Sequence, residues 1–156
     1  MRTPLLLAAI AVAAGATATI AGSHSSDLPP AVQARHAHMQ LYQHNIGILG
    51  AMARGRADYD ADAAAAAASN LAALSTLNQM SYWAPGTDSD SVEGSRALPA
   101  LWENIPDAIA KGQELATAAA ALAETAGTGL EALQAGIGPV GRVCGACHES
   151  YQLTEN

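Results

Sequence analysis

The sequence has no cysteine beyond Cys144 and Cys147. No thiol is therefore left over for a disulfide, and no second pair exists to complete a four-ligand zinc site. Runs of β-branched residues are nearly absent, which argues against any sheet. Nothing reads as the strand that a thioredoxin-like dithiol would follow inside a βαβ unit. Positive charge is scarce as well: 7 Lys and Arg against 14 Asp and Glu give a formal charge of −7. That balance argues against nucleic acid as a partner. Nor is there a long hydrophobic run: the apolar stretch from Leu5 to Val12 is too short and alanine-rich to be a persuasive membrane anchor.

What that stretch does resemble is the middle of a secretory signal. Met1-Arg2 precedes it, and small residues follow, with Ala-x-Ala at Ala16–Ala18 and Thr-x-Ala at Thr19–Ala21. The expected division is a signal peptide over residues 1–21 and one domain with one core over 22–156. Cleavage is placed between Ala18 and Ser23, with an uncleaved anchor as the competing reading. Export would carry the chain out of the cytoplasm, to the periplasm of a bacterium, without a stable membrane anchor. Losing Arg2 with the leader makes the remainder more acidic.

The two cysteines stand in Cys144-Gly145-Ala146-Cys147-His148. Two thiols three residues apart, followed at once by an imidazole, form a haem-attachment pattern: the sulfurs add to the vinyl groups, and His148 ligates iron from the proximal side. One haem c per chain is expected, held through Cys144 and Cys147. Its propionates would add negative charge, so a redox partner with a basic docking patch suits this chain better than an acidic one.

Pro29-Pro30 begins a helical pattern that runs to about Arg54, with a seam of Val32, Arg35, Met39, Tyr42, Ile46, Leu49 and Ala53. Arg35 is the anomaly on it, since a cation facing a core calls for an anion; a haem propionate would serve, and a snorkelling side chain at the bundle's end is the alternative. Asp60 is a good N-cap for a second helix through about Met80, with Leu71, Leu74 and Leu77 as its core edge. Its alanine run Ala63–Ala68 offers a flat face, either a subunit interface in a homodimer or simply exposed.

Residues 81–104 read as a long connection with Pro85-Gly86 marking a turn. Trp83 and Trp102 flank it, either covering a haem edge or packing the loop on the bundle. Asn104 can cap a third helix, with Pro106 in its first turn, lasting to Gly127. Thr128-Gly129-Leu130-Glu131 matches a capping box for a fourth. Leu130, Leu133, Ile137, Val140, Cys144, Cys147 and Tyr151 then alternate spacings of four and three, which puts both thiols on the core seam and the porphyrin between helices. Pro139, among three glycines, should bend or loosen that helix. The pattern is all-α, an antiparallel up-down-up-down four-helix bundle with covalent haem.

At this point the sequence resembles the class II c-type cytochromes, and specifically the cytochrome c' family, over nearly all of residues 22–156. The C-terminal position of Cys144-x-x-Cys147-His148 carries most of the likeness. Arg35 four residues before Met39, Arg54-Gly55 before Tyr59-Asp60, Pro85-Gly86-Thr87 and Arg96-Ala97-Leu98-Pro99-Ala100-Leu101-Trp102 add to it by their order and spacing. The resemblance implies a periplasmic haem protein, often a homodimer, with five-coordinate iron and a buried distal face. It places Cys144 and Cys147 at the thioether positions, His148 as proximal ligand, Met39 at the distal position and Arg35 near the propionates. His36 falls where the family often has glutamine and, unlike glutamine, can titrate. Gln152 stands where the family usually has a cation.

Two uses of the iron compete. One is electron transfer, with the potential tuned by burial, ligation and charge. The other is binding of nitric oxide or carbon monoxide at an open sixth position, with Met39 as an apolar plug; a Met39–iron bond would make a low-spin carrier instead. Peroxidase-like catalysis ranks below both, since no distal acid/base pair is evident unless His36 swings over the iron.

Overall fold

The computed structural model describes residues 27–154, so the expected signal peptide at 1–21 and its cleavage site lie outside the described residues. Helix α1 spans Pro30–Ala53 and starts on a proline, which the first turn accepts because its N–H has no intrahelical partner there. Its buried stripe is Val32, Arg35, His38, Tyr42, Asn45, Leu49 and Met52, again at spacings of three and four. Met39 and Ile46 sit on the flank of that stripe rather than along it: Met39 is 40% exposed.

Helix α2, Ala61–Ser75, is capped by Asp60, whose carboxylate accepts from the Ala63 amide at 2.9 Å. The expected continuation to Met80 does not form. Ser75 and Thr76 hydroxyls donate to the Ala72 and Ala73 carbonyls at 2.8 and 2.9 Å, satisfying the last turn from within. Leu77, expected at the core edge, is therefore exposed. Met80–Tyr82 makes a separate 3-10 turn.

A one-turn helix, α3 (Ala100–Glu103), precedes α4 (Ile105–Thr125), with a break at Asn104. Asn104 makes no cap bond, because its side chain serves the Tyr151 hydroxyl instead. Helix α5 spans Leu130–Tyr151. The capping box at Thr128 is also replaced: Gly129 holds the N-cap position, and Thr128 Oγ1 donates to the Thr125 carbonyl at 2.8 Å, finishing α4. Leu130 turns outward.

Four long helices thus form the antiparallel bundle, with α3 a fifth, short segment where a plain connection was expected. Helix α2 packs on α4, α4 on α5 and α1 on α2, while α1 and α5 share a shorter seam. Among the described residues there is no strand, only an isolated antiparallel bridge between Ala97 and Gln152.

Leu49, Leu71, Leu122, Leu133 and Val140 fill the contiguous core with Ala64, Ala67, Ala68, Ala119 and Ala126. Each fully buried leucine contributes about 1.5–3 kcal/mol, whereas the alanines contribute mainly by letting helix axes approach. Ala64, Ala67 and Ala68 are consumed inside the chain, and Ala61, Ala63 and Ala66 face outward. Close approach also explains two glycines. A Cβ on Gly136 would lie 2.8 Å from Leu122 Cδ1, and one on Gly127 would lie 2.9 Å from Ala65 Cβ. Helix α5 runs through Pro139 without ending. Tyr59 donates to the Ala126 carbonyl and Gln134 to the Ala53 carbonyl, both at 2.9 Å, closing this end of the bundle.

Candidate haem-attachment site

At the opposite end, the last turns of α5 present Cys144, Cys147 and His148. The thiols are half-buried and free, and Cys144 packs against the core cluster that includes Tyr42. Burial pushes both thiols up; the Cys147 neighbour adds to this at Cys144, while at Cys147 the opposing charges of Lys111 and Asp107 act. His148 lies on the exposed side of the helix. Desolvation by the surrounding protein and then Arg96 lower its pKa, so the neutral, ligating form of the imidazole is favoured.

Tyr151 locks the end of α5 onto the start of α4. Its hydroxyl donates to Asp107 Oδ2 at 2.6 Å, and Lys111 Nζ lies 3.5 Å from the same oxygen. The hydrogen bond holds the Asp107 carboxyl below its ordinary range and pushes the Tyr151 phenol up to about 12.

Across the bundle Arg35 is 4% exposed, and the loop after α2 wraps it. Nη1 donates to the Tyr82 carbonyl at 2.7 Å and to Thr87 Oγ1 at 2.8 Å; Nη2 donates to the Thr87 carbonyl at 2.6 Å and to Ser95 Oγ at 3.1 Å. The guanidinium carbon also lies 5.1 Å from the Trp83 ring centroid and 5.6 Å from that of Trp102. The two indoles meet edge to face at 6.3 Å, and Trp102 Nε1 donates to the Trp83 carbonyl at 3.0 Å. Among the described residues the guanidinium is thus met by neutral oxygens and two π faces, with no carboxylate in contact. Burial lowers the Arg35 pKa, and Asp88 partly offsets this at longer range.

His36 is half-buried, and burial, Arg35 and Arg96 in that order lower its pKa. Met39 is joined to none of these groups by a hydrogen bond or ring contact among the described residues. The residue that sequence reasoning missed is His38. It is 4% exposed, its ring stacks edge to face on Tyr42 at 4.6 Å, and its Nε2 lies 3.4 Å from Gln79 Nε2. The signal was present in the spacing: 35, 38, 42, 45, 49 and 52 alternate three and four as well as the apolar series does. His38 and Asn45 were passed over because they are polar.

Among the described residues no group of three or more His, Cys, Asp or Glu side chains is placed to hold a metal ion. Iron at His148 would need the other ligands that a porphyrin brings. The donor set fits haem c: two free thiols on one helical face and an adjacent imidazole. In addition Ser89 Oγ, in the loop that docks beside Gln152, is buried with no partner among the described residues.

The sequence profile of the family described as Cytochrome C' matches residues 30–152, from the first residue of α1 to the residue after Tyr151. The chain belongs to the cytochrome c' family. It is 38% identical over 133 residues to cytochrome c' of Cereibacter sphaeroides, covering 85% of this chain and 89% of that one. A solved cytochrome c' from Rhodobacter sphaeroides superimposes with a TM-score of 0.78 at 38% identity, over 80% of this chain and 96% of the other. A nitric oxide complex of a mutant cytochrome c' from Alcaligenes xylosoxidans superimposes with a TM-score of 0.68 at 30% identity, over 80% and 94% of the two chains. As a cytochrome c', the chain is a haem c protein of electron transfer or gas binding.

Proposed function

We propose that this cytochrome c' works in the periplasm as a gas-binding haem protein, with nitric oxide or carbon monoxide as ligand and electron transfer to a redox partner protein as its other use. The observation that carries the reading is the pair of half-buried thiols beside an exposed imidazole, at the end of the bundle where α1 begins and α5 finishes. When bound, the haem supplies an iron that cycles between ferric and ferrous states and takes a small ligand. Cys144 and Cys147 hold it through thioethers, and His148 ligates from the proximal side. Met39 acts as an apolar plug on the distal side, and Arg35, His36, Trp83 and Tyr151 border the group. The nitric oxide complex of the Alcaligenes relative supports the choice of ligand.

The same reading makes the chain a carrier of ligands rather than an enzyme, since a thioether at Met39 exchanges no proton and His36 would have to swing over the iron to act as a distal acid or base. Among the described residues no helix is long and apolar enough to cross a membrane. The outward face of α1 and α2 suits a second copy of the chain: a shallow hollow of about 530 Å³ there is lined by His44, Gly47, Ile48 and Ala63 among others. Sedimentation at micromolar concentration should show a dimer, and a monomer alone would remove that part.

The deciding experiment is to purify the exported protein and add nitric oxide to its ferrous form. One haem should survive denaturing electrophoresis, and the main absorption band should shift on adding the gas. Export without covalent haem, or a spectrum indifferent to nitric oxide, would overturn the reading.

A further inference from the structure

Helix α5 carries the two poorest helix formers side by side, Gly138 and Pro139, shortly before Cys144. Pro139 has no N–H to give the Ala135 carbonyl, its ring crowds that carbonyl, and it disfavours the helical conformation of the residue before it, which is Gly138. Nearby Gly136 has a packing reason, since a Cβ there would lie 2.8 Å from Leu122 Cδ1. Gly138 has none: a Cβ there would meet only Arg142 Nη1 at 3.6 Å, the far end of a flexible side chain in ordinary contact. The helix nonetheless runs unbroken from Leu130 to Tyr151, so its flanks hold this weak point closed.

Those flanks are pinned separately. On the first, Leu133 is fully buried, Gly136 abuts Leu122, and Gln134 Nε2 donates to the Ala53 carbonyl at 2.9 Å. On the second, the Tyr151 hydroxyl donates to Asp107 Oδ2 at 2.6 Å, Leu98 N to the Tyr151 carbonyl at 2.9 Å, and Leu153 N to the Arg96 carbonyl at 2.8 Å, with the Ala97–Gln152 bridge between them. Between Leu133 and Tyr151 the one buried residue of the helix is Val140, 1% exposed. Cys144, Cys147 and His148 all lie between the weak point and the second set of pins. A helix secured at both ends, and weakest beside a single buried valine, flexes there at the least cost.

We infer, resting on the haem reading above, that Gly138-Pro139 is a hinge with Val140 as its pivot, about which the turns bearing Cys144, Cys147 and His148 shift when the iron takes up or loses a gas. An imidazole bound to iron follows the iron when a second ligand binds opposite it. A joint beside the attachment turns confines that displacement to a few residues and leaves the first half of α5, with its core contacts, in place.

The test is amide hydrogen exchange of the ferrous, haem-bound protein, read residue by residue before and after adding carbon monoxide. Protection at Gly138, Val140 and Gly141 should be on the order of tenfold lower than at Gln134 and Gly136. Carbon monoxide should change it on the order of threefold or more while leaving Gln134 and Gly136 as they were. Pro139→Ala, which supplies the missing N–H, should raise protection at those three amides on the order of tenfold and remove most of the response to the gas; Gly138→Ala should do the same to a smaller degree. Both substitutions favour the helix, so both variants should fold. A static bend would also lower protection, but its exchange would be indifferent to carbon monoxide. Even protection along the helix overturns the hinge alone, as does an absorption band that shifts with carbon monoxide while exchange at these amides stays unchanged. A chain whose absorption band ignores carbon monoxide overturns the functional reading and the gas-linked hinge together.

Discussion

Where Ala53, Ala61, Thr125 and Leu130 come together, the bundle is held by Leu49, Ala64, Leu122 and Leu133 and a few closing hydrogen bonds. Where Pro30, Ser75, Ile105 and Tyr151 come together, Val32 and Leu101 are joined by the buried polar groups Arg35, His38, Thr87, Ser95 and Tyr151, most of them held by named directional contacts. Aliphatic packing is non-directional and tolerant of exact placement. A network of buried polar groups is exacting, since each unmet donor or acceptor is costly. The difference teaches where a group that is apolar at its centre and charged at its rim belongs: the second end supplies both kinds of neighbour.

The largest break in that contrast should come from replacing Cys144 and Cys147 together by alanine. Covalent haem should be lost altogether, seen as the absence of haem staining after denaturing electrophoresis. Helix content and thermal stability should fall with it, because the haem adds buried apolar surface to helices rich in alanine. A haem-free variant with native helix content and stability would show that both ends fold independently of the cofactor.

Leu122→Ala strikes the aliphatic end and should cost about 2–5 kcal/mol by denaturant unfolding, with the haem spectrum unchanged. Arg35→Met strikes the polar end and should cost about 2–4 kcal/mol, from two or more buried acceptors left unmet at about 1–3 kcal/mol each. Arg35→Lys should recover little, since an ammonium cannot reproduce the fork that reaches Tyr82, Thr87 and Ser95 at once. If lysine restored full stability, the exacting character of this end would be disproved.

Tyr151→Phe should have the smallest effect, and only in part of the pH range. The Tyr151 bond holds the Asp107 carboxyl below its ordinary 3.8, so its contribution is fully present above that value and is lost as pH falls through the lower, folded-state value. The variant should be less stable than wild type near neutral pH, and the difference should vanish in acid, as read by thermal melts across that window. A difference that grew on acidification would contradict the assignment.

The helices were legible because their apolar spacing is regular: α1 was expected over residues 30–54 and spans Pro30–Ala53. Their ends were harder to read. Ser75, Thr76, Asn104 and Thr128 could each bond locally in more than one way: carbonyls three residues back took the hydroxyls of Ser75, Thr76 and Thr128, and Tyr151 took the Asn104 side chain. The haem-attachment triad could be read because its chemistry is local in sequence. The Arg35 cage was not, since Tyr82, Thr87 and Ser95 are brought to it only by the fold. His38 escaped notice because a histidine on an apolar face is counted as polar, although its spacing from Arg35 and Tyr42 was that of a buried stripe.

What Met39 does at the haem-bearing end is the centre of the functional reading, and the ferric spin state at neutral pH tests it most directly. With Met39 as a plug rather than a ligand, electron paramagnetic resonance of the purified ferric protein should show a largely high-spin signal. Met39→Ala should leave that signal and the covalent haem in place while speeding the entry of nitric oxide or carbon monoxide. A low-spin ferric signal that Met39→Ala converts to high-spin would contradict the plug and make a methionine-ligated electron carrier the right description.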